Sequence, residues 1–290
     1  MRTKFFFGIA TMLLLASCEE TFEMEIGNEV DKASSVFSAT TESTPSTRTS
    51  LSSYTNSDGY YSLNWTSGDA ISISDGASTA VYTTDDSYTS TAEFICSEGK
   101  ISNTATQYIA FYPSTITTAN MVFPATQNFV DKNIENFPMR AVATNKELAF
   151  KNLCGIIRFC LKSDESGQVE VSSISLSADK GMSGAFTVGD DNAAVVSGSN
   201  GVVLNCAEPE MLYTTSATDF NIIVPQGDYN PLKVKICDVN GKEVNLVSEG
   251  AITVKRSEIT RITLTLAKST FETSLETIPI TDSDVDFTER

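Results

Sequence analysis

Apolar and polar positions alternate with a period of two along most of this chain. Clusters of glycine, asparagine, aspartate and serine break the alternation every ten residues or so. Successive strand side chains point to opposite faces, so the pattern is that of half-buried β-strands. Helical periodicity is nearly absent, and the alternation predicts an all-β fold, mostly antiparallel. Tyr61, Leu63 and Trp65 fall on one face of a predicted strand, Ile71 and Ile73 continue in the next, and Asp58-Gly59 stands where a hairpin turns. Leu232, Val234 and Ile236 alternate up to Asn240-Gly241, and Val244 and Leu246 resume beyond, so "VNGKEV" is the clearest hairpin in the sequence. Ile252 with Val254, then Ile262, Leu264 and Leu266, predict two further strands. No repeat of fixed period is present.

Two stretches interrupt this pattern. Residues 38 to 50, "SATTESTPSTRTS", are polar and β-branched with Pro45 in the middle, which predicts a loop or weak edge segment open to proteases. Residues 131 to 149 also lose the alternation, and "FKNLCGIIRFCL" follows from Phe150 to Leu161 as a buried strand. By parity Phe150, Asn152, Cys154, Ile156, Arg158 and Cys160 share one side, and Lys151, Leu153, Ile157, Phe159 and Leu161 the other. Both sides are mostly apolar, which predicts a central strand covered on each face or a bulge at Gly155. A chain of 290 residues allows one large or two medium domains. The break places an N-terminal domain at 34–148, a C-terminal domain at 149–268 and an extension at 269–290.

The first residues add an address. Arg2 and Lys4 precede an apolar run from Phe5 to Leu15, about half of the roughly 20 residues a spanning helix needs, so residues 1–17 are expected to be a signal peptide. Leu15-Ala16-Ser17-Cys18 looks like a bacterial lipobox, with cleavage between Ser17 and Cys18 and diacylglycerol on the Cys18 thiol. With up to three acyl chains and about 0.8 kcal/mol per buried CH₂, such an anchor holds stably. Glu19, Glu20, Glu23 and Glu25 make residues 18–33 an acidic tether that resembles the surface-export signals of Bacteroidetes lipoproteins. The expected location is the cell outer membrane.

Composition then removes whole classes of function. A net charge of −17 argues against nucleic acid and anionic lipid as partners, because phosphates are bound by lysine and arginine. The absence of histidine excludes Ser-His-Asp and Cys-His catalysis, and histidine metal sites with them. Cys96, Cys154, Cys160, Cys206 and Cys237 are odd in number and cannot all pair within one chain; their apolar neighbours predict small buried hydrophobes. Asp282, Asp284 and Asp286 are spaced like the start of a calcium loop, but Phe287 stands where such a loop needs glycine, and no glutamate closes it. Asp85-Asp86 and Asp190-Asp191 read as solvated caps in turns, and Trp65 with Tyr61 and Leu63 reads as core rather than as a sugar platform beside Tyr60. No carboxylate pair can be singled out for glycoside hydrolysis. The expectation is a protein with no catalytic residues, no metal and no cofactor.

Several stretches together carry a family resemblance. "RTSL" from Arg48, "LNWTSGDAISI" (63–73), "YIAFYP" (108–113), "FPATQ" (123–127), "FKNLCGIIRF" (150–159) and the closing "GAITVKRSEITRITLTL" (250–266) extend in order over about 220 residues. The chain so read resembles the fimbrillin family of Bacteroidetes. That resemblance implies two β-sandwich domains of transthyretin-like type in tandem, as in subunits of type V pili. It also implies export as a lipoprotein and maturation by an arginine-specific protease, here between Arg48 and Thr49; Lys32 is a competing basic position. Such a cut would remove a segment containing Val36 and Phe37 and open a groove for β-strand addition from the next subunit. The candidate donor strand is the C-terminal extension, where Phe271, Thr273 and Leu275 alternate and Ile278 and Ile280 follow in another register; Pro279 cannot donate to a ladder, which leaves a short donor strand, a strand packed on its own domain and a disordered end as the alternatives for this tail. The expected role is that of a structural or accessory fimbrial subunit supporting adhesion, its partners being other subunits or itself and a host or bacterial surface receptor. The alternative is a stand-alone lipid-anchored module that binds a glycan or host protein without polymerising.

Overall fold

The computed structural model describes residues 36–42, 46–47, 61–131, 134–164, 168–272 and 277–280. Strands dominate. The first half carries β1 (Val36–Thr40), β2 (Ser46–Thr47), β3 (Tyr61–Ser62), β4 (Ala70–Ser74), β5 (Thr79–Thr83), β6 (Thr91–Glu98), β7 (Tyr108–Tyr112), β8 (Val122–Phe123), β9 (Thr126–Asn128), β10 (Met139–Ala143), β11 (Glu147–Ala149) and β12 (Lys151–Asn152). The second carries β13 (Gly155–Ser163), β14 (Val169–Ser177), β15 (Gly184–Val188), β16 (Ala194–Val196), β17 (Gly201–Leu212), β18 (Thr218–Val224), β19 (Gly227–Tyr229), β20 (Lys233–Asp238), β21 (Glu243–Ser248), β22 (Ile252–Val254), β23 (Ile259–Leu266), the short helix α1 (Lys268–Glu272) and β24 (Thr277–Ile280).

One eight-stranded sheet organises the first half in the order β11-β1-β6-β5-β4-β7-β10-β12. The two ends of that order, β11 and β12, are consecutive pieces of one stretch of chain. It pairs with β1 through Glu147–Ala149 and with β10 through Lys151–Asn152, so the sheet curls back on itself. Inside lie Phe37, Trp65, Ile71, Ile73, Phe94, Phe111 and Phe150, all at most 1% exposed. In the second half a six-stranded sheet, β24-β21-β20-β14-β17-β9, accompanies a three-stranded sheet, β18-β13-β23. Their shared core is built from Ile157, Phe159 and Leu161 of β13 with Ile174, Phe220, Ile236 and Ile262. This is an all-β architecture of β-sandwich type.

Where alternation was strong, the strands follow it. The "VNGKEV" hairpin joins β20 to β21 with Cys237 opposite Glu243. Gly241 takes φ +75°, open to glycine at no steric cost, and the Asp238 carboxylate accepts the Asn240 and Lys242 amides at 2.8 and 2.7 Å. β13 is central, antiparallel to β18 and parallel to β23, and buried on both faces, the first of the two forms predicted for it. It does not, however, begin at Phe150. The chain leaves the first sheet after Asn152 and enters the three-stranded sheet at Gly155, because Leu153 and Cys154 are buried at the turn between the two sheets. A Cβ at Gly155 would collide with the Lys255 carbonyl oxygen and reach 2.6 Å from Val254 Cγ1.

Other expectations are corrected. Residues 38 to 40 belong to strand β1, and Thr41 and Glu42 are also buried, so this part of the polar stretch is interior rather than loop or weak edge. Residues 131 to 149 contain β10 and β11, strands of the first sheet that alternate too briefly to show in the pattern. Tyr61 and Trp65 do not share one strand: β3 ends at Ser62, and Trp65 makes a single bridge to Thr89. Cys154 and Cys160 are buried, but Cys96, Cys206 and Cys237 are only half-buried, and all five are free thiols. Asp58-Gly59, Tyr60 and Asp282 to Asp286 lie outside the described residues.

The halves interlock. β9 pairs in parallel with β17, and β8 pairs with β15, so Val122–Asn128 joins strands of the second half. Gln127 acts there as a side-chain strand, its Nε2 donating to Ile223 O at 2.7 Å and its Oε1 accepting Ile223 N at 2.9 Å. Phe186, Ala194 and Ile223 in turn pack into the first core.

Candidate assembly groove

β1 sits second in the curled sheet, hydrogen-bonded along both sides. Against β6 it runs antiparallel, with Val36 opposite Ile95, Phe37 opposite Phe94, Ala39 opposite Ala92 and Thr40 opposite Thr91. Against β11 it runs parallel, Ser38 to Thr40 matching Glu147 to Ala149. The Ser38 amide donates to Lys146 O at 2.9 Å, and Thr40 O accepts the Phe150 amide at 2.8 Å. Both neighbours lie far along the chain, and no hairpin ties β1 to either.

Its side chains alternate as a half-buried strand requires. Phe37 fills a hole between Tyr82 and Tyr108, edge-on to both at 5.1 and 5.0 Å, with the Lys146 ammonium 5.7 Å from its ring centre. Ala39 is fully buried, and its carbonyl accepts the Trp65 Nε1–H at 2.9 Å. Trp65 is itself held edge-on by Phe94, Tyr112 and Phe150. The core reading of Trp65 stands, and the indole also contacts β1 directly. Thr41 continues the inward series, its hydroxyl donating to Leu63 O at 3.0 Å.

The run ends on a buried carboxylate that sequence reasoning missed. Arg256, in the loop between β22 and β23, grips Glu42 with both guanidinium nitrogens, Nη1 to Oε2 at 2.6 Å and Nη2 to Oε1 at 3.3 Å. The Asn152 amide donates to Oε2 at 3.0 Å, Ser257 Oγ stands 3.3 Å from it, and Lys151 Nζ lies 3.4 Å from Oε1. Only 6% of the Glu42 side chain and 22% of that of Arg256 are exposed. Burial opposes the charge on Glu42, but the Arg256 and Asn152 hydrogen bonds with the charges of Arg256 and Lys151 outweigh it and hold the carboxyl below the ordinary glutamate range. The only signal in sequence was a glutamate closing the alternating run; its partner is 214 residues away.

Of the residues named from sequence, Ser17, Cys18, Lys32, Arg48, Thr49, Thr273 and Leu275 lie outside the described residues. Phe271 is in α1 rather than in a strand, buried in the second core. Ile278 and Ile280 are in β24, which lies parallel to β21 on the edge of the six-stranded sheet, where Pro279 is tolerated. Asp191 caps its turn, Oδ1 accepting the Ala193 amide at 3.0 Å, whereas Asp86 Oδ2 accepts the amide of Glu93 in β6 at 2.9 Å. Burial pushes the Cys160 thiol up to about 11 and that of Cys206 up to about 12, which leaves both protonated and unreactive at neutral pH. Among the described residues, no group of three or more cysteine, aspartate or glutamate side chains is placed to hold a metal ion.

Fold and groove together define a class: an all-β protein of two interlocked cores whose N-terminal strand is inserted between partners distant in sequence. No family model matches the chain, and no curated protein matches it. Solved structures do. A candidate cell adhesion protein from Bacteroides ovatus superposes with a TM-score of 0.52 at 14% identity, covering 79% of this chain and 91% of that one. A fimbrial protein from the same organism gives 0.37 at 10% identity over 80% of this chain and 50% of that one. The tip fimbrial protein Mfa3 from Porphyromonas gingivalis gives 0.32 at 10% identity over 67% of this chain and 88% of its own. The first of these likenesses is one of fold.

Proposed function

We propose that this protein is a structural or accessory subunit of a cell-surface fimbria, exported as an outer-membrane lipoprotein on Cys18 and assembled by strand complementation. In this reading the chain forms two β-sandwich domains, the boundary expected at 148/149 moving to just past Asn152, where the chain leaves the first sheet, and cleavage after Arg48 releases the acylated segment together with β1. The observation that carries it is the seat of β1: it lies ahead of Arg48 in the chain, pairs on both sides and fills a hole of the core, yet both strands it pairs with lie beyond Arg48. Its loss leaves a slot lined by β6, β11 and the rings of Tyr82 and Tyr108. A strand from another subunit supplies the missing hydrogen bonds and side chains. Likeness of fold to a candidate cell adhesion protein supports a surface role. Neither the sequence nor the groove presents a catalytic arrangement, which favours a non-enzymatic protein with other subunits, or itself, as partners and a surface receptor as target.

The test compares protein recovered from cells carrying wild type and Arg48→Ala. For wild type the expected result is an N-terminus at Thr49 and a ladder of oligomers in unboiled detergent gels that collapses on boiling. For the variant it is acylated Cys18 and no ladder. Fully assembled wild-type material that still begins at Cys18 overturns the processing step.

A further inference from the structure

The grip on Glu42 joins parts of the molecule that are otherwise far apart. The carboxylate stands just past the end of β1 in the first sheet, Lys151 and Asn152 belong to β12, and Arg256 and Ser257 to the loop between β22 and β23 in the second half. That loop has no slack. Ser257 is buried with φ +65°, a left-handed conformation that strains a residue other than glycine, and its amide donates to Cys154 O at 2.9 Å. Lys255 O lies against Gly155 where a Cβ would stand, and the Ile156 amide donates to Glu258 O at 3.0 Å. Arg256 Nη1 also donates to Asn152 O at 3.1 Å. The guanidinium is thus fixed to the point where the chain passes between the sheets, and it cannot follow a departing strand.

We infer that this clamp is a retention latch, and that opening of the slot takes two steps. The cut after Arg48 turns β1 from a tethered strand into a separate ligand, and the clamp then sets how long that ligand stays. The inference rests on the reading that β1 leaves the slot. While the chain is intact, a strand that slips out is kept at high local concentration and returns. After the cut that return is lost on dilution, and residence depends on the dissociation rate. The cut also creates a new free end six positions beyond Glu42, and fraying starts at free ends. The latch stands where peeling from that end would begin. Main-chain hydrogen bonds peel away one at a time, with water replacing each. The Glu42–Arg256 pair does not, because both side chains are mostly shielded from water and parting them leaves each charge desolvated until the strand has moved off. Loss of one partner of such a pair acts chiefly on the dissociation rate. A cleaved subunit therefore keeps its slot covered for a time fixed by a residue of its second half.

The test uses the full chain cut after Arg48 by an arginine-specific protease at neutral pH. Size-exclusion samples taken over time and read by mass spectrometry give the share of the body starting at Thr49 that still carries the segment ending at Arg48. The wild-type segment is expected to co-elute at first and to leave slowly, and Glu42→Gln to raise its release rate about 30-fold. Lys151→Gln, a milder loss on a half-exposed partner, should raise the rate about threefold, and it carries the test if the Glu42 variant does not fold. Thr40→Ala, on the exposed side of the same strand, should leave it nearly unchanged. Glu42→Gln combined with Arg256→Gln should release no faster than Glu42→Gln alone. A faster double variant overturns the assignment to Arg256. Release from the Glu42 and Lys151 variants at the wild-type rate overturns the latch and leaves the open slot standing, as does wild-type release complete within the cleavage reaction. If the segment never leaves any of these proteins, the reading that β1 departs fails, and the latch with it.

Discussion

Glu42 is a charged side chain inside a β-core, and its sign of pH dependence follows from its partners. Its folded-state pKa is depressed, so the stability it contributes is fully present above the ordinary glutamate pKa and is lost as pH falls through the lowered folded value. Glu42→Gln should cost about 3 kcal/mol at neutral pH, as expected when one member of a buried pair is removed. Denaturant titrations of the two proteins should converge as pH falls through the lowered folded-state value of Glu42, where the wild-type carboxyl protonates as well. Gly155→Ala is expected to cost about 3 kcal/mol through overpacking against the Lys255 carbonyl, measured in the same assay. These two positions differ in how much of them the sequence disclosed. The buried strand that starts at Gly155 was readable from its apolar run; the close approach of the Lys255 carbonyl, which leaves no room for a Cβ there, was not. The ion pair of Glu42 was not, because local pattern contains no information about a partner 214 residues on.

At the scale of elements, alternation revealed strands with a long polar-apolar period and missed those whose inward residues are small or polar. β1 is the instructive case. Its buried positions are Phe37 and Ala39, continued by Thr41, and the last two look like loop residues in a stretch rich in serine and threonine. Only the cross-strand neighbours, absent from the local sequence, make them interior. The lone tryptophan gives this element a built-in reporter, because the Trp65 indole donates to the β1 carbonyl of Ala39. Release of β1 is expected to shift Trp65 emission to the red, and refilling of the slot to shift it back, in a fluorescence titration. The C-terminal helix is testable too: Phe271→Ala should destabilise the uncleaved chain by about 3 kcal/mol in thermal or chemical unfolding, since it empties a buried site in the second core.

For the whole molecule, an all-β fold of sandwich type was legible from period and turn chemistry alone. Its wiring was not. The segment Val122–Asn128 pairs with the second half, and Gln127 substitutes for a strand edge there, so the cores are joined by more than one linker. Rings, ladders and clamps of this kind depend on distance in space, and polar residues such as Gln127 carry no periodic signal. A consequence at this scale concerns assembly: uncleaved protein should elute as a monomer in size-exclusion chromatography, and the Arg48-cleaved protein as a concentration-dependent series of oligomers.

The pairing of β1 also sets an order of events in time. During synthesis β1 emerges ahead of both strands it pairs with, with β6 about 55 residues and β11 about 110 residues downstream. It therefore docks onto a sheet that has already formed, after the barrier rather than before it. Phe37→Ala should leave the refolding rate nearly unchanged while it speeds unfolding in stopped-flow measurements. A strand that joins last is also the one whose loss leaves the remaining nucleus standing.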